Sequence, residues 1–329
     1  MTPASEDKKL SKTIHFCWIG SKLDWVHGFA MLSALRHGEL DQVVLHHTDL
    51  LDDSPVVRAL QTAGVVFSHL DVNSLLNDVG AELSLGAQLT ELYARLSSPA
   101  ILSDILRAAI LYRQGGIYLD VDTLTIASLR PLLRDQQFIG LENIVWPYWV
   151  KTARSPLPWA RAVGLDLIRK TLRRMPNGWR LFRSVQGLYF KAVNGAIMGG
   201  APQAPLFATY LQSMINLPSA LQSRANMLGP DLLQVLIQQQ GIQNLRIYPP
   251  DTFYPLPPEI SEHWFRPCTN APALLKKAIQ SQTLIVHWYA SVRSKPYVKQ
   301  INPDFILKNQ NTQLYSALIC KLLPDLNKL

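Results

Sequence analysis

Short apolar runs and helical segments alternate along the first part of this chain. Strands are predicted at 13–20, 42–47 and 64–70, because these runs are rich in β-branched and aromatic residues. Apolar residues recur with helical spacing at 25–37 and near 54–63. Strands that alternate with helices are typical of an α/β fold with a mostly parallel sheet flanked by helices, and we predict this fold class.

The same alternation continues towards the C-terminus. Further strands are predicted at 137–141, 195–199, 245–248 and 284–288, and further helices near 157–175, 203–216, 230–240 and 311–322. The prolines of 249–258 indicate an irregular loop. No repeat or linker divides the chain, so we expect one domain over 12–329 with extra helical insertions, preceded by a disordered tail over 1–11.

The best-defined helix lies within 96–116 and leads directly into an unusual strand. Ser98 is its predicted N-cap residue, and Pro99 suits the first helical position. Gly115 and Gly116 are expected to end the helix, because glycine adopts a positive φ without strain. The helix and the strand that follows it are therefore joined by an abrupt turn.

Apolar and polar residues alternate strictly in the following segment, GGIYLDVDTL at 115–124. Successive side chains of a strand point to opposite faces, so Tyr118, Asp120 and Asp122 are expected to share one face. A strand buried on both faces would be apolar throughout. We therefore expect the tyrosine and the two carboxylates to converge on a ligand.

Three interpretations of Asp120 and Asp122 are open from the residues alone. The carboxylates could end the strand and cap the next turn, form an acid/base pair of the glycosidase kind, or bind Mg²⁺ or Mn²⁺. Asp104 and Arg107 favour the metal site, because residues three apart share a helix face that leads to the same strand end. Open α/β sheets bind their ligands at such strand ends.

The segment SDILRAAILYRQGGIYLDVD resembles the signature of DXD-containing glycosyltransferases of the sugar-binding-region superfamily. That group includes yeast-type α-mannosyltransferases, α-1,4-galactosyltransferases, bacterial capsule and lipopolysaccharide transferases, and the glucosyltransferase domains of large clostridial toxins. The segments IHFCWIG, NGAIMGG, LGPDLL and VHWYASVRSK resemble further parts of these proteins, in the same order along the chain. The resemblance implies a GT-A fold, a nucleotide-sugar donor, a divalent metal ion and transfer with retention of anomeric configuration.

The resemblance also implies which residues bind the donor. Trp18 would stack on the nucleotide base, with Tyr118 among the donor-binding residues. Asp104 and Arg107 would hold sugar hydroxyls, with Arg107 also near the diphosphate. Lys295, with Arg293 beside it, is a candidate cation for the charge that develops on the leaving diphosphate.

A second group of implied roles concerns the metal and the reacting sugar. Asp120 would contact ribose and sugar, directly or through the metal ion, and Asp122 would be the main metal ligand. His287 ends an apolar strand, where a histidine can simply belong to the core, but its position in the matched segment makes it a third candidate ligand. Asn194 matches an asparagine near the reacting sugar in the toxin-type members. The cofactor implied is Mn²⁺ or Mg²⁺.

Composition and cysteine spacing limit the class of protein and the kinds of site that this chain can have. Of the 329 residues, 48% are hydrophobic and 17% are charged, which is typical of a globular protein. The three cysteines are far apart without a CxxC pair, so neither a zinc site nor a disulfide framework is indicated. No signal peptide or transmembrane stretch is recognised, so the expected location is the cytoplasm, with a peripheral position at the inner face of the membrane.

The net charge of +8 favours a polyanionic partner. The basic residues concentrate in 168–184, where Arg169, Lys170, Arg173, Arg174, Arg180 and Arg183 interleave with Leu172, Trp179 and Phe182. This stretch is either a solvated helix face or a contact with anionic lipid headgroups or a phosphorylated acceptor. No nucleic-acid-binding module is recognised, so a nucleic-acid partner is not expected.

The predicted function is a metal-dependent, retaining glycosyltransferase. It would move a hexose or N-acetylhexosamine from a nucleotide sugar, expected to be a UDP-sugar, to a bacterial surface glycan or a lipid-linked acceptor, as in polysaccharide biosynthesis. The alternatives are a toxin-like or effector transferase that modifies a protein, and a non-catalytic module that binds sugar nucleotides or anionic membranes.

Overall fold

The computed structural model describes residues 9–290 and 295–328, without the side chains of residues 240, 295 and 296. The predicted N-terminal tail over 1–11 lies mostly outside these residues. Within its described part, Leu10 is buried against the core.

Nine strands are described. They are β1 Thr13–Trp18, β2 Gln42–His47, β3 Val66–His69, β4 Gly116–Leu119, β5 Thr123–Thr125, β6 Gln137–Ile144, β7 Phe190–Gly200, β8 Leu245–Tyr248 and β9 Ile285–His287. Seven of them form a central sheet in the order β3-β2-β1-β4-β7-β6-β8. Only β7 runs antiparallel to its neighbours, and the other strand pairs in this sheet are parallel. The predicted α/β class with a mostly parallel sheet is confirmed.

The described helices cover both faces of this sheet. They are α1 Trp25–His37, α2 Pro55–Ala63, α3 Val72–Glu82, α4 Gln88–Arg95, α5 Pro99–Gln114, α6 Tyr148–Lys151, α7 Pro156–Arg174, α8 Trp179–Val185, α9 Pro205–Asn216, α10 Ser219–Gln222, α11 Leu232–Gln240, α12 Pro250–Phe253, α13 Ala271–Ala278, α14 Lys295–Val298, α15 Pro303–Asn309 and α16 Leu314–Leu322. The helices α6, α7 and α8 form an insertion between β6 and β7. No helix in the described ranges is long and apolar enough to cross a membrane.

Two apolar cores lie against the sheet. One contains α1, α2, α7, α8, α13, α15 and α16, and the other contains α3, α4, α5, α9 and α11. Strand β4 contributes to both, because Ile117 and Leu119 join the first core while Tyr118 joins the second. The strand is therefore buried on both faces, and the predicted alternation of its side chains is confirmed as far as residue 119.

The junction of α5 and β4 needs its two glycines. Gly115 has φ 64° and Gly116 has φ 100°, a region that favours glycine. A Cβ atom at Gly116 would also lie 2.6 Å from the carbonyl oxygen of Thr13 on β1. Ser98 holds the predicted N-cap position of α5, but its side chain makes no capping hydrogen bond in the structure.

One prediction about strands is wrong in detail, because strand β4 ends at Leu119 and the chain turns over Asp120–Asp122 before it enters β5. The strand predicted at 284–288 is confirmed as β9, which pairs with β5 in a separate two-stranded antiparallel sheet. Helices α3 and α4 were not predicted, because their short apolar patterns resemble those of loops flanked by polar residues.

Candidate functional site

A cavity of about 380 Å³ opens where β4 ends. Six of the residues predicted for the site lie on its lining, from four different parts of the chain: Asp104, Arg107, Asp120, Asp122, Asn194 and His287. Helix α5 supplies the first two, the turn after β4 supplies the next two, and strands β7 and β9 supply the last two. We call this cavity the cleft.

The turn after β4 brings both aspartates to the cleft. The backbone N–H of Asp120 donates to the carbonyl of Ala196 at 2.8 Å, which extends the pairing of β4 with β7 by one residue. Thr123 closes the turn by donating its N–H to the Asp120 carbonyl at 3.1 Å. Strand β5 then pairs with β9, with Thr123 opposite His287. The turn and the two-stranded sheet of β5 and β9 therefore place Asp122 beside His287.

Arg107 connects the two aspartates that flank it in the cleft. Its Nη2 atom lies 3.2 Å from Asp120 Oδ1 and 3.4 Å from Asp104 Oδ1. Its Nη1 atom donates to the carbonyl of Gly195 at 2.7 Å, and its guanidinium lies over the ring of Tyr118, 5.0 Å from the centroid. Most N–H donors of Arg107 therefore already contact protein groups, and these contacts hold the carboxylates of Asp104 and Asp120 in place.

Burial affects the ionisation of these carboxylates. It raises the pKa of Asp104 to about 6, against the opposing attraction of Arg107. Burial also raises the pKa of Asp120, again opposed by Arg107. Burial alone would lower the pKa of Arg107, but its neighbours, Asp120 first and Asp104 among them, together outweigh burial and raise this pKa above its usual range, so Arg107 keeps its charge. The three groups form a compact buried cluster with both signs of charge.

Asp122 and His287 form a second buried pair. His287 Nε2 lies 2.9 Å from Asp122 Oδ1, and the N–H of Ala290 donates to Oδ2 at 2.8 Å. Burial opposes the ionisation of Asp122, but His287 and these hydrogen bonds outweigh it and lower its pKa to about 2. Burial likewise opposes protonation of His287, yet Asp122 raises its pKa overall. Asp122 is therefore an anion across the physiological pH range.

A divalent metal ion fits this arrangement. One ligand atom from each of Asp120, Asp122 and His287 lies within 4.8 Å of the other two. Carboxylate oxygens are preferred by Mg²⁺ and Mn²⁺, and an imidazole nitrogen is accepted by transition metals such as Mn²⁺. The three predicted ligands are thus brought together, although 165 residues separate Asp122 from His287.

Glu142 and Tyr289 line the cleft but were not predicted from the sequence. Glu142 is 5% exposed on β6, and the hydroxyl of Tyr289 donates to its Oε2 atom at 2.8 Å. Its neighbour Asn194 also hydrogen-bonds to it. Burial raises the pKa of Glu142 to about 7. The local signal for Glu142 is a single glutamate in the apolar run FIGLENIV, which is too weak to predict a site.

Two other predicted donor-binding residues, Trp18 and Tyr118, are described and are not part of this lining. Trp18 packs on His27, with 4.9 Å between ring centroids, and His27 in turn contacts the carbonyl of Val121 in the turn after β4. Tyr118 is buried beneath Arg107, and its hydroxyl hydrogen-bonds to Ser103 at 3.2 Å. The side chain of Lys295, like all of Arg293, lies outside the described residues.

The cations of 168–184 are largely paired within the protein. Arg169 contacts Asp166 and Glu259, and Lys170 contacts Asp166 at 2.8 Å. Arg173 pairs with Glu262, and Arg183 donates to the carbonyls of Lys277 and Ala278. Trp179 and Phe182 are buried in the core. This stretch therefore carries a buried apolar side together with cations that are mostly paired, and Lys170, Arg174 and Arg180 are its exposed cations.

Residues 31–139 match a protein-family model described as a glycosyltransferase sugar-binding region containing a DXD motif. The matched part includes α5 with Asp104 and Arg107, and the turn with Asp120 and Asp122. The predicted family resemblance and the predicted enzyme class, a glycosyltransferase, are confirmed by this match. No curated protein sequence matches the chain.

Several solved structures are remotely similar to this protein. The PaToxG glycosyltransferase is 17% identical, with 71% of each chain covered and a TM-score of 0.43. The galactosyltransferase LgtC, in complex with donor and acceptor sugar analogues, is 13% identical, with 96% of this chain and 97% of that chain covered and a TM-score of 0.43. GlyE of Streptococcus pneumoniae TIGR4 is 12% identical, with 96% and 64% covered and a TM-score of 0.42.

Proposed function

We propose that this protein transfers a hexose or N-acetylhexosamine from a UDP-sugar to a hydroxyl group of a glycan or lipid-linked acceptor, and that the reaction depends on Mn²⁺ or Mg²⁺. The observation that carries this proposal is the convergence of Asp120, Asp122 and His287 within 4.8 Å, beside the Asp104–Arg107 pair. Such a set suits a metal-bound diphosphate next to a polar sugar.

Two sets of residues would bind the donor, the metal ligands and the Asp104–Arg107 pair. Asp120, Asp122 and His287 would hold the divalent cation, which when bound stabilises negative charge on the diphosphate. Asp104 and Arg107 would contact sugar hydroxyls. The fixed position of Arg107 supports a role in orienting Asp104 and Asp120, because its donors already point at them.

In the proposed reaction the bond between the anomeric carbon and the diphosphate oxygen breaks, and an acceptor oxygen bonds to the same carbon. The acceptor's hydroxyl proton is transferred to the departing nucleoside diphosphate. Asn194 and Glu142 face the cleft from adjacent strands, where they would orient the reacting sugar. Retention of configuration is proposed from the family resemblance.

Trp18, Tyr118 and Lys295 complete the proposed donor site. Trp18 is partly exposed beside the turn after β4, a position compatible with stacking on the base. Tyr118 supports Arg107 from below, and Lys295 would neutralise the leaving diphosphate. We also propose that residues 12–329 act as one GT-A-like domain, working in the cytoplasm at the inner face of the membrane.

A donor screen tests the proposal. Thermal unfolding is measured with UDP-, GDP- and CMP-sugars, with and without Mn²⁺, followed by the rate of donor hydrolysis. We expect a UDP-sugar to raise the melting temperature only with metal, and Asp122→Asn to abolish both effects. Asp52→Asn, an exposed carboxylate outside the cleft, is the matched control and should behave as wild type.

The outcomes separate the alternatives. No metal-dependent stabilisation by any nucleotide sugar would refute the proposed donor site. Donor binding without hydrolysis or transfer would favour a non-catalytic binding module. If turnover occurs, an acceptor panel of glycans, lipid-linked sugars and proteins distinguishes the proposed acceptor from that of a toxin-like or effector transferase, and NMR of the product gives its anomeric configuration.

A further inference from the structure

The outward face of α7 is apolar where a helix in water would be polar. Leu157 is 75% exposed, Leu167 is 60% exposed and Val163 is 45% exposed. The opposite face of the same helix carries Ala162 and Leu165, which are buried in the core. The helix therefore has apolar residues on both sides, and only one side is covered by the protein.

This exposed apolar face continues around the helix. Trp159 and Ile168 are 46% and 39% exposed, so five large apolar side chains lie open over about three turns. We call these five residues, Leu157, Trp159, Val163, Leu167 and Ile168, the α7 apolar face. Several large apolar side chains exposed on one helix indicate an interaction site.

The α7 apolar face lies within a strongly basic part of the chain. The insertion and its flanks, residues 148–191, contain ten lysines and arginines and one aspartate, a net charge of +9 against +8 for the whole chain. Arg169 and Arg173 are paired with Glu259 and Glu262 of a later segment. Lys151, Arg154, Arg161, Arg174, Arg180 and Lys191 are exposed. The protein's excess positive charge is therefore carried by this one insertion.

The face also adjoins the cleft. Trp159 packs edge-on against Trp146, with 4.9 Å between ring centroids, and Trp146 lines the cleft. Lys151, at the end of α6, lines the cleft as well and lies five residues before Pro156, where α7 begins. A surface that covers the α7 apolar face would therefore approach the cleft mouth.

We propose that the α7 apolar face inserts into the interface of a phospholipid bilayer that contains anionic lipids. An apolar helix face with basic residues around it is the combination that binds such an interface, through apolar burial and attraction to lipid headgroups. A symmetric pairing of two copies fits less well, because an isologous contact would bring two strongly positive surfaces together. The contact overlaps the one predicted at 168–184, because it shares Ile168 and the exposed Arg174 and Arg180, but most of its apolar residues precede that stretch on α7.

The membrane contact does not depend on the proposed transferase activity. If that activity is correct, however, the contact places the cleft beside the headgroups, where a lipid-linked acceptor would be reached without leaving the bilayer. Access of the cleft to a lipid-linked acceptor rests on the proposed function. Membrane binding and transferase activity are tested separately, because vesicle binding requires neither donor nor metal.

The test is flotation of the full chain with vesicles of phosphatidylcholine alone, or with about 30 mol % phosphatidylglycerol. We expect wild type to float with the anionic vesicles and to be released as salt is raised. The double variant Val163→Gln/Leu167→Gln should lose at least about tenfold in binding, because its apolar contact is removed. Leu50→Gln, at an apolar residue 81% exposed elsewhere, is the matched control and should float as wild type.

A second pair of variants tests the charge. Arg174→Gln/Arg180→Gln should weaken binding several-fold and reduce its salt dependence, whereas Lys308→Gln/Lys321→Gln, at exposed lysines elsewhere, should not. Asp122→Asn should float as wild type even if it is inactive. The proposal is overturned if wild type does not bind anionic vesicles, or if Val163→Gln/Leu167→Gln binds them equally well. It is also overturned if sedimentation shows a dimer that this double variant dissociates while vesicle binding is absent.

Discussion

Glu142 is expected to make the stability of this protein fall as pH rises through neutrality. The carboxyl group is buried on β6 beside Asn194 and the hydroxyl of Tyr289. Burial raises its pKa from 4.5 to about 7 in the folded protein. Between these two values the folded chain keeps a proton that the unfolded chain has already lost.

The size of this effect follows from the two pKa values. Where the folded state binds more protons than the unfolded state, stability decreases as pH rises. A difference of one pKa unit corresponds to 1.36 kcal/mol, so the rise from 4.5 to about 7 corresponds to about 3 kcal/mol. The contribution of Glu142 to the free energy of unfolding is therefore largest below pH 4.5, and it is lost as pH rises through about 7.

Glu142→Gln removes the ionisable group and keeps the size of the side chain. Urea unfolding of both proteins is measured from pH 4 to pH 8, in the presence of EDTA so that no metal ion contributes. The difference in free energy of unfolding, variant minus wild type, should increase by about 3 kcal/mol across this range. Other titrating groups are common to both proteins and cancel in the difference.

Glu91→Gln is the matched control, because Glu91 is an exposed carboxylate on α4. Its difference from wild type should not change with pH. A difference for Glu142→Gln that stays flat between pH 4.5 and 7 would refute the reasoning, since it would mean that the folded protein does not hold this proton above the usual range.

Two further predictions concern the cleft and the insertion. A Cβ atom at Gly229 would lie 2.7 Å from Asp104 Oδ2, so Gly229→Ala should displace that carboxylate, cost about 1–3 kcal/mol in urea unfolding and remove donor-induced stabilisation. Gly187→Ala, whose Cβ meets nothing within 4 Å, should do neither, and unchanged donor binding in Gly229→Ala would contradict the placement of Asp104. Arg169→Met removes the cation beside Glu259, whose side chain is 8% exposed, and should destabilise the protein by about 3–5 kcal/mol. Arg58→Met, which removes an exposed pair with Asp53, should cost no more than about 1 kcal/mol, and equal losses in the two variants would contradict the burial of the Arg169 pair.

Short sequence patterns were sufficient to predict helix α5 and strand β4, which form the main part of the site. Helix α5 places Asp104 and Arg107 on one face because residues three apart always share a face, whatever surrounds the helix. The glycines after it allow positive φ, and strand alternation separates Tyr118 from its aliphatic neighbours. These are properties of a few consecutive residues, so the sequence alone predicted them correctly.

The same local rule failed just beyond Leu119. Strict alternation predicted a continuing strand, but the chain turns after Asp120, because the N–H of Thr123 donates to the Asp120 carbonyl and Thr123–Thr125 then pair with β9. Asp122 still reaches the cleft, by way of the pairing of β5 with β9. The expected convergence of the two aspartates was confirmed, while the path of the chain that produces it was different.

The α/β class, the Asp104–Arg107 face and the candidate carboxylates could be predicted without a structure, because each depends on short-range geometry and residue chemistry. Which distant groups surround them depends on the tertiary structure. It joined His287 to Asp122 across 165 residues, buried Glu142 in the cleft, and paired Arg169 with Glu259, 90 residues away. Burial and ion pairing depend on which surfaces pack together, so Arg169 and Arg173 are paired with Glu259 and Glu262 in the fold, while the apolar face of α7 is left exposed.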